Sequence, residues 1–211
     1  MRVLLFILVL VFTVSAQDHF AEANRFAGRG DYEQALSNYR AAEKDPANTE
    51  TASRLHYNIG VCLYRLDRSA EAIGELNKAI ELKGGNYQRA WYALGMAWAA
   101  LGKTVEAKDA FIKATELNKK DAEAWFDLGL VQISENDLPG ARASFENAVK
   151  FGSVNLADAH NNLGVIHALE GNITSALREF EISGSAEAVA NMKYCRSADG
   201  NVHVGAVSWA K

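Results

Sequence analysis

Only two cysteines and two prolines stand among 211 residues, and no block of like charge interrupts the chain. So few cysteines exclude a disulfide framework or a four-cysteine metal knot. Scarce proline removes the strongest helix breaker, and Ala, Leu and Glu are frequent, which favours helix. A cationic excess is missing too: 22 Lys and Arg face 26 Asp and Glu, a formal charge of −4, so no basic face is offered to nucleic acid. GxSxG, a Gly-rich loop ending in Lys-Ser/Thr, CxxC and HExxH are all absent. The five histidines are scattered. His160 and His167 share a helical face but stand roughly 10.5 Å apart along it, too far for one zinc ion with bonds of ~2 Å. The expectation is a chain with no catalytic residue, no metal and no cofactor.

One long apolar run does occur. After Met1-Arg2, Val3 to Val14 is broken only by Thr13 and ends in the small-residue pattern Val14-Ser15-Ala16. It is shorter than the ~20 residues a spanning helix needs, and it has the layout of a secretory signal peptide. Residues 1–16 are therefore expected to be cut away between Ala16 and Gln17. What remains is secreted or periplasmic, carries a formal charge of −5 because only Arg2 is lost, and keeps no stable membrane anchor. The alternative is an uncleaved anchor.

What the chain has in abundance is self-similarity. "AWYALGMAWAALGKTVEAKDAFIKATEL" from residue 90 is followed by "AWFDLGLVQISENDLPGARASFENAVKF" from residue 124, and looser copies lie on either side. Aligning them on Ala35, Ala72, Ala107, Ala141 and Ala176 gives spacings of 37, 35, 34 and 35 residues. A constant period of this size means stacked supersecondary units. Each copy reads as two helices. In the third, Trp91, Leu94, Gly95 and Trp98 form one helical stripe, and Ala107, Ala110, Phe111 and Ala114 another. Gly60, Gly95, Gly129 and Gly164 sit mid-helix, where glycine costs ~1 kcal/mol, so a partner helix is expected to pass close by them. Gly30, Asp67, Gly102, Asn136 and Gly171 share one turn position, that of a helix C-cap. Asp31, Asp137 and Ser185 are candidate N-caps.

These residues resemble the tetratricopeptide repeat (TPR) family, whose signature is W-x2-L-G-x2-Y…A-x3-F…A…P. The third copy supplies Trp91, Leu94, Gly95, Trp98, Ala107, Phe111 and Ala114. The fourth supplies Trp125, Leu128, Gly129, Ala141, Phe145 and Ala148. His19, His56 and His160 take the Trp place elsewhere, and the closing proline appears once, as Pro46. The resemblance implies an all-α, right-handed α/α superhelix of about five helix-turn-helix repeats plus a C-terminal capping helix. Repeats are expected over 17–46, 53–86, 88–121, 122–155 and 157–184, with a capping helix over 185–195. The tail 196–211, with "GNVHVGAVSWAK", carries a weak alternating pattern and is expected to be flexible.

The resemblance also implies a concave groove lined by the first helices, with binding residues at the second, fifth, sixth, ninth and twelfth places of each repeat. The second place reads Arg54 and Arg89. The fifth reads Phe20, Tyr57, Tyr92, Phe126 and Asn161, and the sixth includes Asn58 and Asn162. The ninth reads Val61, Met96, Leu130 and Val165, and the twelfth includes Tyr64 and Ile133, with Arg65 beside Tyr64. An apolar trough with cations toward its N-terminal half suits a protein or extended peptide partner. The carboxylate clamp of some TPR domains is not expected, since Phe20 and Ala93 replace two of its cations. Self-association through the tail is the alternative. A small-ligand site or an enzyme accessory role is more remote.

Overall fold

The computed structural model describes residues 16–43, 49–197, 202 and 205–210. Among them eleven helices follow one another and no strand occurs. They are α1 (Ala16–Arg29), α2 (Tyr32–Glu43), α3 (Thr49–Arg65), α4 (Ser69–Leu82), α5 (Gln88–Ala100), α6 (Thr104–Leu117), α7 (Ala122–Ser134), α8 (Leu138–Phe151), α9 (Leu156–Leu169), α10 (Ile173–Ser183) and α11 (Ala186–Ser197). Each odd-numbered helix up to α9 packs on the even one that follows, and each even one packs on the next hairpin. The result is an α/α solenoid of five hairpins closed by α11, which lies on α10 and α9. The expected leader lies outside the described residues except for Ala16, and so does Pro46. No helix among the described residues is long and apolar enough to cross a membrane.

Identical turns close the five hairpins. Gly30, Asp67, Gly102, Asn136 and Gly171 have φ of 84°, 58°, 68°, 60° and 79°. In each turn the next residue's N–H reaches back five residues: Asp31 to the Phe26 carbonyl, Arg68 to Leu63, Lys103 to Trp98, Asp137 to Gln132 and Asn172 to His167, all at 2.8–3.0 Å. This is the left-handed C-cap that satisfies orphan carbonyls at the end of a helix. Asp137 accepts from the Gly140 N–H at 3.0 Å, Asn172 from Ser175 at 3.3 Å and Ser185 from Ala188 at 3.1 Å, capping α8, α10 and α11.

The mid-helix glycines do face a close partner, the bulky residue of the second helix. A Cβ on Gly60 would lie 2.7 Å from Leu76, on Gly95 2.7 Å from Phe111, on Gly129 2.7 Å from Phe145 and on Gly164 2.6 Å from Phe180. Those four partners are almost wholly buried, so interdigitation at this contact sets how near the two helices of a hairpin come.

The Trp place is filled in two ways. Trp91 and Trp125 donate backwards, to the carbonyls of Gly85 (2.8 Å) and Lys119 (2.9 Å). His19, His56 and His160 pair across the hairpin with Asn38 (3.2 Å), Glu75 (2.7 Å) and Glu179 (2.7 Å), always nineteen residues on. In the Trp copies that downstream position holds Ala110 or Ser144, leaving room for the larger ring. Besides filling the Trp place, the histidines therefore carry a polar link across the hairpin.

The tail expected to be flexible is packed against the solenoid where it is described. Val207 and Ala210 are buried, and Trp209 rests against both the cluster around Phe126 and Phe145 and the one around Val165 and Phe180. Val207, Trp209 and Ala210 thus bury apolar surface against an inner wall that neither part could cover alone.

Candidate concave binding groove

The inner wall is built from α3, α5, α7 and α9, and its N-terminal part is accessible. Arg54, Arg65 and Arg89 are exposed, while Tyr57, Asn58, Val61, Tyr64, Tyr92 and Met96 are half-buried. The Arg54 guanidinium lies over the Phe20 ring, 5.5 Å from its centroid, a cation–π placement. Asn58 donates to Asn24 Oδ1 at 3.4 Å, which also accepts from the Tyr39 hydroxyl at 2.6 Å. Tyr57 stacks at 5.4 Å on Tyr87 from the loop before α5, and burial pushes both phenols above their ordinary range. Beside them Arg54, Lys83, Asn86, Gln88 and Arg89 rim an open depression of about 510 Å³. Lys83 and Tyr87 were not foreseeable from the register, because they come from an inter-repeat loop. The pair Gly84-Gly85, at φ 58° and 83°, is the only local hint that the loop turns there.

The middle of the wall is acidic. The Tyr92 hydroxyl donates to Asp127 Oδ2 at 2.7 Å. Burial pushes the Asp127 carboxyl up to about 6; the Tyr92 hydrogen bond works against the rise, and the nearby Glu123 and Asp121 add to it. Asp127 also stands at the sixth place of its repeat, so extending the Asn58 and Asn162 register to the fourth copy would have found it. Glu123 is tied by Ser153 (3.0 Å), the Val154 N–H (2.7 Å) and Asn155 (3.1 Å). Leu130 and Ile133 are half-buried. Phe126 is only 3% exposed, edge-on to Phe145 at 5.6 Å, so its ring is part of the wall.

At the C-terminal end the groove is occupied by the chain itself. Asn161, Asn162 and Val165 are fully buried, and all face residues 207–210 or the cluster beneath them. The Ser208 N–H donates to Asn191 Oδ1 (2.7 Å), and its carbonyl accepts from Asn191 (2.8 Å) and Asn161 (3.0 Å). The Ala210 N–H donates to Asn162 Oδ1 (2.8 Å), and its carbonyl accepts from Asn162 Nδ2 (3.1 Å). Asn191 was missed in the sequence, yet it was readable. With Met192-Lys193 standing where other copies have Leu-Gly, Asn191 falls in the sixth place of the half-repeat, like Asn162.

One cluster outside the groove has the donor set of a metal site. Donor atoms of Glu43, His56 and Glu75 lie within 4.8 Å of one another. Cationic side chains already serve it: Arg40 bridges Glu43 and Glu75 at 2.9 Å each, and Lys78 reaches Glu75 at 3.3 Å. Burial alone would raise the Glu75 carboxyl, but hydrogen bonds from His56 and Arg40 hold it below the ordinary range. That is the signature of a paired structural network. Cys62 and Cys195 are both free and buried, and burial pushes the Cys62 thiol up to about 11, far from a reactive thiolate.

Comparison with known proteins agrees with this geometry. Over most of its length the chain is similar to the crystal structure of YrrB, described as a TPR protein with an unusual peptide-binding site: 25% identity, TM-score 0.67, covering 89% of this chain and 93% of that one. It also resembles MamA 41-end from Desulfovibrio magneticus RS-1 in fold, at 21% identity and TM-score 0.68, covering 87% and 97%. Among curated proteins it is 28% identical over 164 residues to the Protein CTR9 homolog of Arabidopsis thaliana, 75% of this chain but 15% of that protein. It is 30% identical over 113 residues to the DnaJ homolog subfamily C member 7 homolog of Schizosaccharomyces pombe, 53% of this chain and 24% of that protein. The chain thus spans a small part of the curated relatives it matches. The profile described as "Tetratricopeptide repeat" matches residues 20–87 and 92–155, more than half of the chain. With five hairpins in phase, identical turns and the family's glycine contacts in place, the chain belongs to the tetratricopeptide repeat family.

Proposed function

We propose that this protein is an exported, non-catalytic scaffold that holds an extended segment of a protein partner along its concave face, in the service of cell-envelope assembly or secretion. One observation carries the reading of the face: the inner wall already receives a short stretch of the chain's own tail, with side-chain amides bonded to its backbone and apolar side chains packed beneath it. The N-terminal part of the wall offers half-buried rings and the exposed guanidinium groups of Arg54 and Arg89 around an open depression, which suits a segment bearing carboxylates and apolar side chains. Export rests on the leader pattern of residues 1–16, and the envelope setting rests on the resemblance to exported TPR proteins alone.

A photoreactive phenylalanine analogue at Met96, compared with one at the outward Val105, tests the face. The reading expects covalent capture of a partner polypeptide in the native host from position 96 and little from 105. Equal capture from both, or capture from 105 alone, contradicts it. Cleavage of the leader is tested separately by the mature N-terminus: Gln17 is expected, and retention of Met1 overturns it.

A further inference from the structure

We propose that residues 207–210 are a built-in competitor for the groove: a partner's extended segment docks on the Asn161, Asn162 and Asn191 amides only by displacing the tail. The inference rests on the reading of the concave face as a polypeptide-binding surface and adds what kind of segment it takes and how access is controlled.

The hydrogen bonds define the chemistry. Asn162 and Asn191 each grip one residue through both its N–H and its carbonyl, at Ala210 and Ser208 respectively. Alternate residues of an extended chain present their backbone groups to the same side, which is what two successive sixth-place amides meet. Asn161 completes the set by accepting from Asn191 (3.0 Å) and donating to Ser208. No side chain of the tail takes part in these bonds, so the clamp itself reads backbone and excludes only proline, which lacks the donor. Selectivity comes from the side-chain environments along the segment. Val207 and Ala210 are buried and Trp209 packs on two apolar clusters, while Ser208 is exposed. The matching partner is therefore an extended segment of the form apolar, any, aromatic, small.

The three amides are at most 2% exposed, and the tail satisfies them. A departing tail hands these amides to water, so an incoming backbone and the tail compete for the same donors and acceptors. Few residues separate Ser197 from the clamp, so the tethered tail acts at a high effective concentration and lowers the apparent affinity of any competitor.

The test uses the full-length chain and a fluorescent peptide with the sequence of residues 201–211. Ser208→Pro with Ala210→Pro removes both donated N–H groups from the tail and leaves the wall intact. Anisotropy should show the peptide binding this variant at least about ten-fold more tightly than the natural chain, and adding Asn162→Leu should remove the gain. Equal affinity for both chains, no binding to either, or indifference to Asn162→Leu overturns the proposal. If the proline variant does not fold, amide exchange in the natural chain decides. Ser208 and Ala210 should be protected, and the protection should fall on adding excess peptide. Unprotected amides, or protection that saturating peptide leaves unchanged, overturn it. Protection that rises with protein concentration, together with a dimer in sedimentation, would instead place the tail in a second copy and equally overturn it. Loss of tail gating with face-selective capture intact at Met96 sinks only this inference, whereas loss of that capture sinks the reading beneath it.

Discussion

Asp127 is the most unusual side chain on the inner wall, a largely buried carboxyl with acidic neighbours and a tyrosine hydroxyl as its hydrogen-bond donor. Its folded-state value, about 6, lies above the ordinary 3.8. The folded protein therefore holds this proton more tightly than the unfolded chain, and the stabilising contribution is full below pH ~4 and lost as pH rises through ~6. Asp127→Asn keeps an acceptor for Tyr92 without the charge. Denaturant melts should find the variant about 1–3 kcal/mol more stable than the natural protein at pH 7.5, with the gap closing near pH 4. A gap that is constant with pH contradicts the assignment. Gly129 gives a second residue-level test. Its absent Cβ is the space the Phe145 ring occupies, and that ring is fully buried. Gly129→Ala gains ~1 kcal/mol of helix propensity but overpacks by about 1–3 kcal/mol, so a net loss is expected in thermal unfolding. A more stable Gly129→Ala would show that the hairpin can open at little cost.

At the scale of helices and turns, much was written in the chain. The turn position shared by Gly30, Asp67, Gly102, Asn136 and Gly171 was legible because only a few residue types tolerate a left-handed backbone. Asn136 tolerates it less well than glycine, so Asn136→Gly should raise stability by a few tenths to ~1 kcal/mol in chemical denaturation, and a loss would refute the strain argument. The histidine copies were less legible. Their link to the residue nineteen positions on is a pair correlation, visible only when two columns of the repeat are compared at once: His with Asn38, Glu75 or Glu179, Trp with Ala110 or Ser144. The pairing predicts coupling. His160→Trp alone should crowd Glu179 and destabilise by about 1–2 kcal/mol, and Glu179→Ala should restore part of it, with a coupling energy of roughly 0.5 kcal/mol or more. Additive effects would mean the two positions do not exchange space.

For the molecule as a whole, periodicity gave away the solenoid because every repeat must bury the same face against its neighbours. The groove was readable only in part. Register assigned Tyr57, Tyr92 and Met96 to the inner wall, but it could not reveal that Phe126 turns into the helix stack or that Lys83 and Tyr87 join from a loop. Nor could it show the tail, whose contacts with Asn161 and Asn162 span 47 and 48 residues of chain and depend on curvature rather than on local pattern. The wall is thus divided, with a free half rimmed by Arg54 and Arg89 and a covered half clamped by amides. Residue-resolved hydrogen exchange on the full-length chain, with and without the partner captured through Met96, tests the central claim most directly. The account predicts new protection on the first helices, above all over Arg54–Arg65 and Arg89–Ala100, with the outer helices α4 and α6 unchanged. Protection confined to α4 and α6 would contradict it.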